Sequence, residues 1–205
     1  MGENAMTWKT VQPHAAGLPI AALVLATASV CAAPAWAQPA DPRLQAFEDQ
    51  LESHASATAV LQGWCDAHGQ HGAKIVARRV LGEGKPPSEA ARAALRLRPG
   101  QAVRYRRVEL VCGDRVLSRA DNWYMPARLT AAMNRALDTT QTPFGVVVAP
   151  LHFTRRNLET AFLTSGGEPS AVLRHSAVLD TEAGAPFSFV VETYTAQVLA
   201  TEPAP

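Results

Sequence analysis

In the stretch CDAHGQH, Cys65, His68 and His71 stand three residues apart with Asp66 beside them, side-chain types that hold zinc. A closed zinc site takes four ligands, and no second half-site follows. Gly69 also interrupts the helix that would align these groups, so a solvated helix end is the expectation and no metal is expected. A serine hydrolase would need a G-x-S-x-G elbow, which is absent. Ser165-Gly166-Gly167 lies in the loop TSGGEPS, and no glycine-rich phosphate loop is present. Two strand-borne charges remain. In VRYRRVELVC, Arg107 shares a face with Val103, Tyr105, Glu109 and Val111, because side chains alternate across a strand. In FSFVVETYT, Glu192 shares a face with Ser188, Val190 and Tyr194. A wet sheet face is the ordinary place for such charges, and Arg107 could pair with Glu109. If both instead line an enclosed cavity, each needs a partner, and a small anionic ligand would supply one.

The elements that position these residues can be read from period and punctuation. In DPRLQAFEDQLESH, Leu44, Phe47 and Leu51 recur at helical spacing. Ser56 or Thr58 caps a second helix, ATAVLQGWCDAHG, which Gly69 ends. AKIVARRVLGEG reads as a strand, and Ser88 caps a helix in SEAARAALRL before the Pro99-Gly100 turn. AVRYRRVELVC and RVLSRADNWYMP form a hairpin about Gly113-Asp114. Pro126 ends that hairpin and suits the first turn of a helix, where Leu129, Met133, Ala136 and Leu137 share a face. GVVVAPLHF reads as strand-like, and AVLRHSAVLD and FSFVVETYTAQVL as two closing strands joined by TEAGAP. The expected class is an antiparallel α+β domain, a sheet with short helices packed on one side.

Ahead of that domain, an apolar run from Leu18 to Val30 leads to Ala35-Trp36-Ala37, the small-x-small pattern of a signal-peptidase site. The expectation is a signal peptide over residues 1–37 and a periplasmic mature chain over 38–205. That run is short against the roughly 20 residues of a membrane span, so no stable membrane insertion is expected after cleavage. Net charge is +1, which gives no electrostatic case for nucleic acid. The mature length suits one domain with its own core. Cys65 and Cys112 survive processing and could pair in an oxidising compartment. Closing that loop would contribute about 4 kcal/mol in the chain-entropy model, if the two Cα atoms come within reach.

The ordered blocks SATAVL, VRYRRVELVCGDRVLSRADNWYMP, TPFG, FTRRNLE and GAPFSFVVETY, spread from about Leu51 to Leu199, resemble bacterial chorismate pyruvate-lyase. The same blocks resemble the effector-binding domains of certain bacterial repressors, so the resemblance implies the fold more firmly than the reaction. It implies an enclosed ligand cavity, with Arg107 on a ring carboxylate, Glu192 at the other end of the ring, and Ala57 and Phe144 shaping an apolar slot. The implied reaction is elimination of pyruvate from chorismate to give 4-hydroxybenzoate, driven by aromatisation and needing no cofactor. Glu192, desolvated beside Val190 and Tyr194, would then have a raised pKa and handle a proton. Where the lyases carry a basic residue, Asn122 stands here, and Ala57 is smaller than the family's usual residue. Chorismate is also made in the cytoplasm, away from an exported chain. The competing expectation is a periplasmic, monomeric binder of a small aromatic carboxylate; export itself argues against a repressor.

Overall fold

The computed structural model describes residues 41–68, 72–82, 84–163 and 170–200. These belong to one compact unit, residues 37–205. The signal-peptide and cleavage expectations, His71, Gly69 and the Ser165-Gly166-Gly167 loop lie outside the described residues.

Helix α1 spans Pro42–Ser53. Asp41 caps it, its Oδ1 accepting from the Arg43 N–H at 2.9 Å, and Pro42 sits where a missing N–H costs nothing. Leu44, Phe47 and Leu51 are buried as their spacing requires, and Glu48 is buried with them. Helix α2 spans Ala57–His68, with Ser56 Oγ accepting from Ala59 N–H at 3.3 Å. Six strands follow the order β1-β2-β3-β6-β5-β4, every neighbouring pair antiparallel. They are β1 Ile75–Arg79, β2 Arg104–Cys112, β3 Arg115–Tyr124, β4 Thr154–Phe162, β5 Ala171–Asp180 and β6 Pro186–Thr195.

The inner face carries Val108, Leu110, Ala120, Ala177, Val190 and Tyr194, packed against Leu44, Phe47, Leu51, Leu61 and Trp64 of α1 and α2. Burying a side chain of the Leu or Phe kind contributes about 1.5–3 kcal/mol, so this layer dominates the fold. Cys65 and Cys112 form a disulfide with Cα atoms 5.7 Å apart, tying the end of α2 to the end of β2. Cys65 is thereby removed from any metal-ligand set, while His68 stacks on Trp64 at 4.8 Å between ring centroids.

Three sequence expectations are revised. Helix α3, Glu89–Ala94, is capped by Ser88 as expected, but it lies across the second sheet face. Its Ala91, with the following Leu95, packs on Trp123, Val178 and Phe189, side chains that alternation points away from the inner face. The helix expected at Pro126 is divided into a 3-10 turn, Pro126–Arg128, and α4, Ala131–Thr139. Thr130 intervenes as the N-cap, its Oγ1 accepting from Met133 N–H at 3.1 Å; that competing cap restarts the helix. Finally, the valine run of GVVVAPLHF is helical, α5 at Phe144–Val148, continued by a 3-10 turn at Ala149–Leu151. Pro143 opens it and Pro150 closes it, and local strand propensity yields to packing. A Cβ on Gly145 would lie 3.0 Å from Ser56 Oγ and 3.3 Å from Thr58 Oγ1, so glycine lets α5 approach the start of α2.

Candidate functional site

Where the first turn of α2 and α5 meet the inner sheet face, a cavity of about 50 Å³ remains, room for the centres of roughly three to five waters at ~10–15 Å³ each. Ala57 and Thr58 enter from α2, Phe144 and Gly145 from α5, and Arg106, Asn122, Arg155, Ser188 and Glu192 from the strands. Of the residues singled out by sequence, the structure brings Ala57, Phe144 and Glu192 to this cavity. It does not bring Arg107.

Arg107 is corrected on strand parity. Register pairs Arg107 with Asp121 and Arg106 with Asn122, and Asn122 is a lining residue whereas Asp121 is not. Arg107 points to the second face, its side chain 44% exposed and its Nε 3.9 Å from Asp121 Oδ1. Tyr105 donates to the same carboxylate. Arg78 and Arg119 reach Glu109 at 2.8 Å and 3.3 Å.

Arg106 takes the cavity position and is only 5% exposed. Its Nη2 donates to the Thr142 carbonyl at a long 3.4 Å, and its buried Nε has no hydrogen-bond partner among the described residues. Burial first, then repulsion from Arg79, pushes this guanidinium down to about 10; it remains a cation at neutral pH. A signal for it existed in the sequence, since Arg106 is followed on its face of β2 by Val108, Leu110 and Cys112, an unbroken apolar run, whereas Glu109 interrupts the face of Arg107.

Glu192 is held. Arg155 Nη2 donates to Glu192 Oε2 at 2.7 Å, with the two side chains 4% and 8% exposed, and Tyr194 donates to the same oxygen at 3.0 Å. Burial is the largest influence on Arg155 and opposes its charge, but the attraction and hydrogen bond to Glu192, together with Tyr194, outweigh it, and the net shift is upward. Burial raises Tyr194 well above its ordinary value, so the phenol keeps its proton. Arg155 was missed by sequence reasoning, although it stands in the quoted block FTRRNLE; a buried glutamate requires a cation, and that block offers one. Between the two ends, Ser188 Oγ donates to Asn122 Oδ1 at 2.7 Å. The walls are otherwise apolar: Val108, Leu110, Ala120, Phe153, Leu179 and Val190.

The arrangement is an apolar slot with an under-satisfied cation at one position, a neutral amide–hydroxyl pair and an internally paired carboxylate. Among the described residues no group of three or more His, Cys, Asp or Glu could hold a metal ion, and no helix there is long and apolar enough to cross a membrane.

No family model matches the sequence. Among solved structures the chain is similar to PhnF from Mycobacterium smegmatis, with 9% identity, a TM-score of 0.52, and coverage of 74% of this chain and 68% of that one. The separate effector domain of PhnF aligns with 10% identity and a TM-score of 0.50 over 70% of this chain and 90% of that one. The chain spans only 60% of the possible transcriptional regulator YydK from Bacillus subtilis, at a TM-score of 0.47. Likenesses at such identities define a fold alone, and that fold is the chorismate lyase-like one: a six-stranded antiparallel sheet with several helices. By sequence the chain is 46% identical over 177 residues to the uncharacterized protein y4mC of Sinorhizobium fredii, covering 76% of this chain and 75% of that one. The chain belongs to the same family as y4mC.

Proposed function

We propose that this protein is an exported domain that binds a small aromatic carboxylate, of the kind of 4-hydroxybenzoate, in the Arg106–Glu192 cavity. The observation that carries this reading is Arg106: a guanidinium 5% exposed, with an unpartnered Nε, in a slot walled by apolar side chains. An isolated buried cation is costly, and a carboxylate accepting from its planar fork would remove that cost. Phe144, Phe153 and Val190 offer faces for a ring. The likeness to an effector domain supports a ligand-binding role. The Cys65–Cys112 disulfide supports an oxidising compartment, and an exported chain is separated from DNA.

Conversion of chorismate to 4-hydroxybenzoate and pyruvate is the second reading, favoured by the Glu192 carboxylate on the same cavity wall. Against it, Arg155 and Tyr194 already occupy Glu192 Oε2, and neutral Asn122 replaces the lyases' basic residue. One experiment separates the readings. Purified mature protein is titrated calorimetrically with 4-hydroxybenzoate and, separately, incubated with chorismate while 4-hydroxybenzoate absorbance is followed. The binder predicts saturable binding without turnover. Arg106→Ala should lose about 30-fold or more in affinity, since truncating one side of a buried charge pair costs roughly 2–5 kcal/mol. Arg107→Ala should bind as the parent does. An Arg106→Ala protein that is folded by circular dichroism and binds unchanged would overturn the site assignment, and chorismate turnover would establish the lyase.

A further inference from the structure

The cavity's charges are unevenly paired. Among the described residues, its charged lining groups are Arg106, Arg155 and Glu192: two guanidinium groups against one carboxylate, a net charge of +1. Arg155 is spent on Glu192 at 2.7 Å, both side chains nearly inaccessible to water. No ion pair joins Arg106 to Glu192, the one carboxylate among those lining groups, and Arg106 Nη2 donates to the Thr142 carbonyl at 3.4 Å.

We infer that Glu192 fixes the charge of the ligand: by occupying Arg155 it leaves one cation free to be neutralised, so the cavity accepts organic monoanions and rejects dianions of the same shape. This deepens the ligand-binding reading and rests on it. A second carboxylate on the ligand would meet Glu192 and Arg155, whose Nη2 and Nε already donate to Glu192 Oε2 and Asn157 Oδ1 at 2.7 Å and 2.8 Å, rather than a spare cation. In a poorly solvated cavity that repulsion is not screened by salt as it is at a surface. What a second polar group on the ligand would meet instead is the neutral Asn122–Ser188 pair, suited to a hydroxyl or amide.

Neighbouring groups do not alter this count. Tyr194 holds its proton. His175 is fully buried, 3.7 Å from Glu48 Oε1, and burial favours its neutral form. At the Arg106 end, Arg79 donates to the Asp138 carbonyl at 2.6 Å, and Arg104 pairs with Asp138 Oδ2 at 2.9 Å, those two side chains 46% and 44% exposed. Charges so exposed are screened by water.

The test compares ligands matched in shape and different in charge. Calorimetry at pH 7 would use 4-hydroxybenzoate, then 4-carbamoylbenzoate against terephthalate, and the smaller pair succinamate against succinate. For whichever pair enters the cavity, the monoanion should bind at least about tenfold tighter than the dianion, as expected for an unneutralised like charge in an environment of intermediate dielectric. Glu192→Gln keeps the shape and a hydrogen-bonding group while releasing Arg155, and should narrow or reverse that preference. The parent comparison needs no variant, so the inference stands or falls even if Glu192→Gln does not fold. If no monoanion binds, 4-hydroxybenzoate included, the ligand-binding reading fails and takes this inference with it. If 4-hydroxybenzoate binds but matched dianions bind as tightly as monoanions, or if no matched monoanion binds detectably better than its dianion, this inference alone is overturned.

Discussion

Adjacent residues Arg106 and Arg107 differ by one step along β2 and therefore face opposite sides of the sheet. One is a buried cation in the cavity; the other is half exposed beside Asp121. Their chemistry is identical, and only direction separates a candidate ligand anchor from a surface ion pair. His175 shows a different residue-scale effect. It is fully buried on β5, its Nδ1 without a hydrogen-bond partner among the described residues, and burial lowers its proton affinity. Its folded pKa is thus below the ordinary ~6.5. The stability it contributes is complete above about pH 6.5 and is lost as pH falls toward the folded value. Glu48, held above its ordinary range first by burial and then by Glu52, acts in the opposite sense at lower pH. Urea midpoints measured from pH 8 to pH 5 should therefore fall below about pH 6.5, and His175→Gln should flatten that fall. An identical slope in the variant would remove His175 as the cause.

At the scale of elements, the cavity depends on how closely α5 approaches α2. Gly145 sets that approach, because an added Cβ would stand 3.0 Å from Ser56 Oγ and 3.3 Å from Thr58 Oγ1. Gly145→Ala would gain about 1 kcal/mol of helix propensity, while crowding of a packed contact costs about 1–3 kcal/mol. The crowding term wins. Denaturant unfolding should show a net loss of about 1 kcal/mol, the difference between those two ranges, and calorimetry a weaker affinity for 4-hydroxybenzoate because Ser56 and Thr58 also line the cavity. Unchanged stability and affinity would mean that α5 shifts without consequence. The same junction explains why a valine-rich run is helical here: Gly145 admits the contact with α2, Pro143 and Pro150 bracket the segment, and strand propensity is a weak preference beside it.

For the whole molecule, the disulfide joins the two elements that bound the cavity, α2 at Cys65 and β2 at Cys112, across 47 residues of sequence. The chain-entropy model assigns such a loop about 4 kcal/mol, a large share of the 5–15 kcal/mol typical of a domain. Protein recovered from the periplasm should begin at Gln38 and yield linked Cys65 and Cys112 peptides on non-reducing mapping. Reduction should lower its unfolding free energy by about that 4 kcal/mol. Full-length chain held in the inner membrane, or free thiols at both positions, would overturn the export reading.

The helix of Leu44, Phe47 and Leu51, the hairpin about Gly113-Asp114 and the closing strands were legible in the sequence because period and turn chemistry are local properties. The cap at Ser88 was legible for the same reason, as was the choice of Ser56 or Thr58 at α2, which the structure gives to Ser56, and the ordered blocks carried the fold class. Glu192 was also found, as a strand-borne charge, and Ala57 and Phe144 through those blocks. What the sequence left open was decided by contacts between distant segments. Which face of β2 is the cavity side was decided only when β2 was paired with β3 and one face closed beneath α2. The partner of Glu192 comes from Arg155 on the edge strand, 37 residues away, a distance that no local pattern spans. The second-face position of α3, the helical form of the valine run and the closure of the disulfide likewise depend on packing, because each is set by what occupies the other side of the contact rather than by the residues themselves.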